Sequence, residues 1–194
     1  MHSFFVIIIL YFGDVIMPLL IGDKVTVRYF KMEDFKDFYE FSSDPRVGFN
    51  AGWKPHTDID LSRRILQTKV FSAQNFAIME NKTKKVIGSI ELNPSHIRER
   101  IKAFEIGFAE NPKYWGNGYV SEAVRLLTKY AFEVMYAEVL EMCHIENNIA
   151  SEHVALSCGY KYEGLLRKYK IMYDKRVVDV KVYSLTKEEF LKNE

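Results

Sequence analysis

Two glycines stand two residues apart, directly before a segment with the apolar spacing of an amphipathic helix. Gly116 and Gly118 precede a helical pattern that starts at Val120 and continues through Leu127 to Val134. The N–H groups of the first turn of a helix have no acceptor within the helix, and the helix dipole adds partial positive charge there. The spacing therefore predicts a site for phosphate oxygens, and hence a ligand that carries a pyrophosphate.

The sequence around the glycines disfavours nucleotide hydrolysis and hydride transfer. The pattern from Gly116 to Ser121 resembles the dinucleotide fingerprint only loosely, because residues 110–115 separate it from the preceding strand. That strand also carries a carboxylate, Glu105. The sequence contains no Gly-Lys-Ser/Thr segment that would form a P-loop.

The composition indicates one globular domain with a full core. The chain has 194 residues, of which 48% are hydrophobic and 27% charged, and a net charge of +1. This near-neutral charge gives no overall field that would attract nucleic acid or a membrane. Cys143 and Cys158 lack metal-ligand spacing, so we expect no metal site and two buried thiols in a reducing, cytoplasmic setting.

The N-terminal segment has a different character from the rest. A spanning helix needs roughly 20 uninterrupted apolar residues, and here Asp14 and Pro18 interrupt the apolar run. A basic region and a small-residue cleavage site, as in a secretory signal, are also not evident. We interpret residues 1–16 as an apolar extension upstream of a start near Met17, and residues 17–194 as a single domain. A membrane anchor is the less favoured alternative.

Alternating and helical spacings predict a mixed order of elements. Strands are predicted at 25–30, 76–79, 86–92, 103–109 and 138–145, helices at 34–41, 58–71, 120–134 and 149–157, loops at 43–57 and 94–102, and a terminal hairpin over 168–185. Hairpins lie early and late, and a strand–helix–strand–helix unit lies between them. This order favours one α/β (α+β) domain with a largely antiparallel sheet.

Several motifs together resemble the GNAT acetyltransferases. Lys113-Tyr114-Trp115-Gly116-Asn117-Gly118-Tyr119, followed by Ser121-Glu122-Ala123, resembles the acyl-CoA pyrophosphate loop of that family. It most resembles the branch that acetylates protein N-termini, the ribosomal-protein (Rim-type) enzymes. Residues 103–108, 147–151, 158–160, 164–167 and 179–185 resemble further parts of that branch, as do 44–45 and 53–55. The similarity covers about residues 17–190.

The resemblance implies the GNAT fold and acetyl-CoA as cosubstrate. This fold has a mixed, mostly antiparallel sheet of six or seven strands, flanking helices, and two central parallel strands that splay apart. The pantetheine of acetyl-CoA would pair with the main chain in that gap, like an extra strand. The strands expected to splay are 103–109 and 138–145, and Gly107 would let the chain approach the ligand closely.

Direct acyl transfer needs a deprotonated amine, a position against the thioester, an oxyanion donor and a proton for the thiolate. Glu105 is the candidate general base. Glu91 and Glu110 are its rivals, and a surface strand carboxylate is the alternative interpretation. Burial beside a cleft would raise the pKa of Glu105. The family's tyrosine acid falls at Ala155 here, so Ser151 becomes the candidate donor to the thiolate.

The resemblance also implies a set of cofactor-binding residues. They are Ile106, Phe108, Lys113, Trp115, Gly116, Asn117, Gly118, Tyr119, Val120, Ser121, Asn148 and Ser151. Those at 116–121 would donate backbone N–H groups to the pyrophosphate. Lys113 stands where the motif usually has Arg or Gln, and it lacks the planar fork of arginine. Asn148 and Ser151 also fit a helix N-cap pair, and this alternative stays open.

The early loop is the predicted acceptor side. Phe49, Asn50 and Trp53 are candidate substrate residues together with Glu105, although Trp53 fits core packing equally well. The implied activity is N-acetylation of a primary amine, with a protein N-terminal α-amino group, such as that of a ribosomal protein, as the favoured acceptor. A small-molecule amine (antibiotic or polyamine) and a non-catalytic acyl-CoA-binding module are the alternatives. We expect a monomer or homodimer.

Overall fold

The computed structural model describes residues 5–12 and 15–193, and within them nine strands form one mixed sheet. The strands are β1 Val6–Phe12, β2 Val15–Ile21, β3 Val25–Tyr29, β4 Asn75–Glu80, β5 Val86–Pro94, β6 Ala103–Glu110, β7 Val139–Ile145, β8 Lys161–Ile171 and β9 Val177–Thr186. Their spatial order is β1-β2-β3-β4-β5-β6-β7-β9-β8, and β6–β7 is the parallel pair. The predicted fold class, a mostly antiparallel mixed sheet with flanking helices, is therefore confirmed.

Six α-helices flank the sheet in the described part of the chain. They are α1 Phe35–Ser42, α2 Pro45–Ala51, α3 Ile59–Val70, α4 Tyr119–Glu133, α5 Ile149–Ser157 and α6 Lys187–Asn193. One core cluster joins α4 to the sheet, with Leu127 packed among residues such as Ile78 and Ile106. A second cluster contains Phe38 of α1 together with Ala109 of β6. The alternation along β6 thus assigns α4 to one face of the sheet and α1–α3 to the other.

The N-terminal hairpin makes the sheet larger than the six or seven strands expected. β1 and β2 pair antiparallel, and β2 continues onto β3 through the pair Leu20↔Val27. The seven strands from β3 to β9 correspond to the predicted sheet, and the apolar N-terminal run adds two more. β2 crosses the boundary proposed at residue 16. Residues 1–4 and Asp14 lie outside the described part. Among the described residues, no helix combines the length and apolar character of a membrane span.

The loop predicted at 43–57 is wrong in part, because it contains α2. Asp44 caps this helix by accepting a hydrogen bond from the N–H of Arg46 at 2.9 Å, and Pro45 occupies the first helical position. Gly52 ends it in the left-handed region, at φ 86°. The helix is short, contains Gly48 and is ended by Gly52, so its helical spacing is weak in the sequence.

The C-terminal hairpin also begins earlier than predicted. β8 starts at Lys161 rather than 168, and its pairing with β9 shifts register between Tyr162 and Gly164 and again between Leu166 and Lys170. A register shift changes which residues face each side, so simple alternation is lost over this stretch. The short helix α6, absent from the predicted elements, follows β9 directly.

The two parallel strands diverge as predicted. β6 and β7 pair only over residues 103–105 and 139–141, and their continuations to Glu110 and Ile145 have no partner in each other. A wedge therefore opens between the carboxyl-terminal halves of the two strands. Main-chain groups that face this wedge have no strand to bond to, so they are available to a ligand.

Candidate active site

The glycine turn at one end of the wedge presents free main-chain N–H groups. Gly116 and Gly118 have φ values of 79° and 74°, which residues with a Cβ adopt only at a cost. The first backbone bond of α4 runs from the Glu122 N–H to the Gly118 carbonyl. Within residues 5–12 and 15–193, no acceptor takes the N–H groups of residues 116–121. Such a row of amides at a helix N-terminus is suited to an anion.

Several side chains of the predicted cofactor set shape this turn. Asn117 Nδ2 donates to the carbonyl oxygens of Tyr114 and Trp115 at 2.8 and 3.2 Å. The indole N–H of Trp115 donates to the Glu110 carbonyl at 3.0 Å, and the Tyr119 hydroxyl donates to a β4 carboxylate at 2.6 Å. These side chains are occupied within the protein, so the backbone is the part of the turn that remains available.

Lys113 does not contact the turn. Its Nζ donates to Glu40 Oε1 of α1 at 2.9 Å, and its side chain is largely exposed. Hydrogen bonds from Lys113 and then Asn111 lower the pKa of Glu40. A surface pair of this kind contributes little free energy, so a ligand phosphate can compete for the ammonium group.

The side chains of Ile106 and Phe108 pack in the α4 core cluster, as does that of Val120. Beyond Glu105, β6 pairs with β5 on one side only. The predicted contact of Ile106 and Phe108 with the cofactor is therefore restricted to main-chain groups on the open side of β6. Ser121 Oγ lies 3.3 Å from Ser157 Oγ of α5, which connects the first turn of α4 to the neighbouring helix.

The second predicted cofactor motif opens α5, on the other side of the wedge. Asn148 Oδ1 accepts from the N–H of Ser151 at 3.2 Å, so Asn148 is the N-cap, as the structural alternative stated. Ser151 Oγ has no partner in the described part of the chain and remains available as a donor. Ala155 is fully buried, and no tyrosine hydroxyl replaces the family's acid at that position.

Glu105 lies at the point where the wedge begins. It is the last residue of β6 in register with β7, and its partner there is Glu141. Its side chain points to the α1–α3 face, opposite Ile106, as the alternation predicted. Burial, and then the Glu141 carboxylate, raise the pKa of Glu105, while Lys170 and His96 oppose the shift. A carboxyl with a raised pKa is suited to accept a proton near neutral pH.

The two rival carboxylates have different environments. Glu91 is paired with Lys69 of α3, with 2.6 Å between Oε1 and Nζ. Glu110 points to the α4 face, where burial raises its pKa to about 8, and its Oε1 is buried without a partner in the described residues. Because Glu105 and Glu110 lie on opposite faces of β6, one amine cannot approach both.

A buried charge network, not anticipated from the sequence, supports Glu105. Glu141 is fully buried and is paired with Arg98 from the loop after β5. It also accepts from Ser95 Oγ at 2.9 Å, and Arg98 reaches Glu163 of β8 at 2.5 Å. The only feature of the local sequence that indicated this network was a charged residue at 141 within an apolar strand. Its partners come from distant segments, so spacing could not identify them.

The candidate substrate residues lie on the same face of the sheet as Glu105. Phe49 of α2 is 41% exposed and stacks beneath the Arg176 guanidinium, 4.5 Å from the ring centre. Trp53 packs against the α1–α3 cluster, in agreement with the alternative that it is a core residue. Its Nε1 has no acceptor in the described residues. Asn50 Nδ2 donates within α2, to the Arg46 carbonyl at 3.4 Å.

Lys170 lies between the candidate substrate residues and the wedge. Its positive charge acts on Glu105, and its Nζ would lie 3.0 Å from a Cβ placed at Gly52. Arg176, near the tip of the β8–β9 hairpin, also covers the Phe49 ring of α2, so the hairpin and α2 lie together on the side of Glu105. The charges that act on Glu105 come from Lys170, His96 and the carboxylates at 91 and 141.

The cysteines and possible metal ligands give no separate site. Cys143 and Cys158 are free thiols whose pKa values are raised mainly by burial. Cys158 Sγ donates to the Ser121 carbonyl at 3.4 Å. In the part of the chain that the structure describes, no three His, Cys, Asp or Glu side chains are grouped to hold a metal ion.

A sheet opened between parallel strands, with free amides at the end of the wedge, defines an acyl-CoA-dependent transferase. Residues 24–161 match the sequence model of the Acetyltransferase (GNAT) domain, and the chain belongs to the GNAT acetyltransferase family. It is therefore an acetyl-CoA-dependent acyltransferase, and acetyl-CoA is its cosubstrate.

Individual relatives agree with this assignment. The chain is 30% identical over 179 residues to the uncharacterized N-acetyltransferase p20 of Bacillus licheniformis, covering 90% of this chain and 99% of that protein. A GNAT-family acetyltransferase structure from Bacillus anthracis has a TM-score of 0.79 at 24% identity, over 88% and 99% of the two chains. The microcin C7 self-immunity acetyltransferase MccE, solved with acetyl-CoA and AMP, has a TM-score of 0.72 at 21% identity, over 84% and 93%.

Proposed function

We propose that the protein transfers an acetyl group directly from acetyl-CoA to a primary amine in a ternary complex, and that the acceptor is the α-amino group of a protein N-terminus. The observation that carries the proposal is the wedge between β6 and β7, which has free amides at 116–121 at one end and Glu105 at the other. The Rim-type motifs support a ribosomal-protein-like acceptor. The cytoplasm, where ribosomal proteins are made, is the proposed location.

The donor half of the site is formed by main-chain groups. The amides of residues 116–121 fit a pyrophosphate, and the open edge of β6 at Ile106 and Phe108 fits the amides of a pantetheine arm. When bound, acetyl-CoA supplies the activated thioester. Ser151 Oγ, at the start of α5, is the proposed donor of a hydrogen bond to the departing thiolate. Asn148 fixes the first turn that carries this serine.

In the acceptor half, we propose that Glu105 accepts the proton of the incoming ammonium group. The amine approaches from the α1–α3 face, past Phe49 and the hairpin tip. An α-amino group has a pKa of about 8, against about 10.4 for a lysine or polyamine amine. This difference of more than two pKa units is worth about 3 kcal/mol of deprotonation free energy. A carboxyl base can therefore deprotonate an N-terminus more readily, which supports an α-amino acceptor.

The test is thiol release from acetyl-CoA with a matched set of acceptors. A peptide with a free N-terminus and an internal lysine is compared with the same peptide blocked at its N-terminus, with a polyamine and with an aminoglycoside. We expect rapid release only with the free N-terminus. Faster release with the polyamine or aminoglycoside would assign a small-molecule acceptor. Calorimetric binding of CoA without release for any amine would indicate a non-catalytic acyl-CoA-binding module.

A further inference from the structure

Glu122, part of the Ser-Glu-Ala motif after the glycine turn, is unused by the function described above. It is 7% exposed, although it lies in the first turn of α4. Its Oε1 accepts from two backbone N–H groups at the start of β3, those of Lys24 at 2.7 Å and Val25 at 3.0 Å. The carboxylate therefore fastens the N-terminus of α4 to the turn between β2 and β3.

The β2–β3 turn is shaped around this carboxylate. A Cβ added at Gly22 would lie 2.3 Å from Glu122 Oε1, so the carboxylate would have to move from its present position. The Gly22 N–H donates to the Val25 carbonyl at 2.9 Å and closes the turn. Glycine at this position therefore leaves the space that the Glu122 carboxylate occupies.

Lys24 makes a second connection, to the glycine turn itself. Its Nζ donates to the Asn117 carbonyl at 2.9 Å. That carbonyl shares a peptide group with the N–H of Gly118, one of the amides without an acceptor in the described residues. A cationic donor on the carbonyl polarises the peptide group, so the N–H becomes a stronger donor on the opposite side. The ammonium group also adds positive charge next to the turn.

We propose that Glu122 and Lys24 are positioning residues that hold the glycine turn in its anion-binding shape and so set the affinity for the pyrophosphate part of acetyl-CoA. This inference rests on the proposed use of residues 116–121 as the pyrophosphate site. Glu122 fixes the helix end of the amide row, and Lys24 fixes and polarises its centre. Glu122 lies on α4, which packs on the face of the sheet opposite the Glu105 side chain, so acetyl transfer itself should not depend on this pair.

The experiment compares two acetyl donors that differ in the pyrophosphate. Acetyl-CoA carries it, and S-acetylpantetheine does not. The variants are Glu122→Gln and Lys24→Met, with Glu133→Gln at the far end of α4 and Lys36→Met on α1 as exposed controls. Glu122→Gln keeps an oxygen acceptor but removes the negative charge from its two hydrogen bonds, and Lys24→Met removes both the donor to Asn117 and the positive charge. We expect KM for acetyl-CoA to rise about tenfold or more, with kcat at saturation and kcat/KM for S-acetylpantetheine unchanged. Both controls should match the wild type.

An equal fall in kcat/KM with both donors, or an unchanged KM for acetyl-CoA, would overturn the inference. If Glu122→Gln does not fold, Lys24→Met decides alone, because the Lys24 side chain lies at the surface. Calorimetry with CoA distinguishes a failure of the proposed function from a failure of the positioning role. Wild-type protein that binds no CoA would refute the proposed function, whereas wild type and variants that bind CoA equally would refute only the positioning role.

Discussion

The two ends of the wedge are built in different ways. The donor end is main chain from one contiguous segment, residues 113–121, whose polar side chains bond to their own loop or to neighbouring elements. The acceptor end is made of side chains brought from β5, β6, β7, β8 and α2. Several of these charges act on one carboxyl, Glu105, which is the proposed base. A constant ligand such as acetyl-CoA can be bound by backbone, while the acceptor is selected by side chains that can change.

The first prediction tests the acceptor end and has the largest expected effect. Glu105→Gln keeps the shape of the side chain and removes the base, so kcat should fall by about 10² to 10⁴. The affinity for CoA should stay the same, because the donor end is separate. Steady-state kinetics and calorimetry on one preparation measure both quantities.

Glu91→Gln is the matched control for that change. Glu91 lies one strand away and is already paired with Lys69, so its substitution should lower kcat far less. A Glu105→Gln enzyme with full kcat, or a larger loss in Glu91→Gln, would mean that the base has been assigned to the wrong carboxyl.

The second prediction concerns Glu110, whose carbonyl binds Trp115 of the donor end, and it is measured as protein stability. Glu110 has a folded-state pKa of about 8 against an ordinary 4.5, with burial as the cause. Between pH 5 and 8 the unfolded state therefore binds fewer protons at this site than the folded state, and stability falls as pH rises. Glu110→Gln removes this dependence. The free energy of unfolding of the variant, measured relative to wild type, should therefore be higher at pH 8 than at pH 5 by on the order of 4 kcal/mol.

Denaturant unfolding at the two pH values measures this difference. Glu99→Gln, in the exposed loop before β6, is the control and should change stability equally at both. If Glu110→Gln has the same effect at pH 5 and pH 8, the carboxyl is ionised in the fold, and its buried oxygen has found a partner or water.

The contrast between the two ends explains what could be predicted from the sequence. The glycine turn, α4 and the splaying strands depend on short-range spacing, and the fold class was confirmed with the divergence starting after residue 105. Four features were missed: α2, α6, the early start of β8, and the added β1–β2 hairpin as part of the sheet. In α2 the Asp44 cap and Pro45 outweigh the internal Gly48, and in β8 the register shifts hide the alternation.

The supporting contacts were missed for another reason. Lys24 bonds to a residue 93 positions away, and Arg98 joins two carboxylates at 43 and 65 positions. Residue types at such separations carry no spacing signal, and only the assembled sheet brings them together. The positions of residues 105 and 116–121 along the wedge were therefore predictable, whereas the contacts around them were not, and their roles stay a prediction.

The third prediction has the smallest expected effect and tests how the acceptor end is tuned. Glu141→Gln removes the carboxylate in register with Glu105 and leaves Arg98 without its buried partner. Both changes favour the ionised form of Glu105, so its pKa should fall. A base must be deprotonated to act, and the acidic limb of kcat/KM against pH should therefore move to lower pH.

Glu163→Gln separates this tuning from a general disturbance. Glu163 also binds Arg98, but the substitution of Glu163 leaves Glu141 beside Glu105. This change should therefore move the acidic limb of the pH profile much less. His96, Lys170 and Glu91 also act on Glu105 and stay in place in both variants. Breaking a buried ion pair costs roughly 3–5 kcal/mol, so the profiles are compared at a temperature where both variants are folded. An acidic limb that stays fixed or moves to higher pH in Glu141→Gln would show that Glu105 does not carry the proton, and the acceptor end would then need another base.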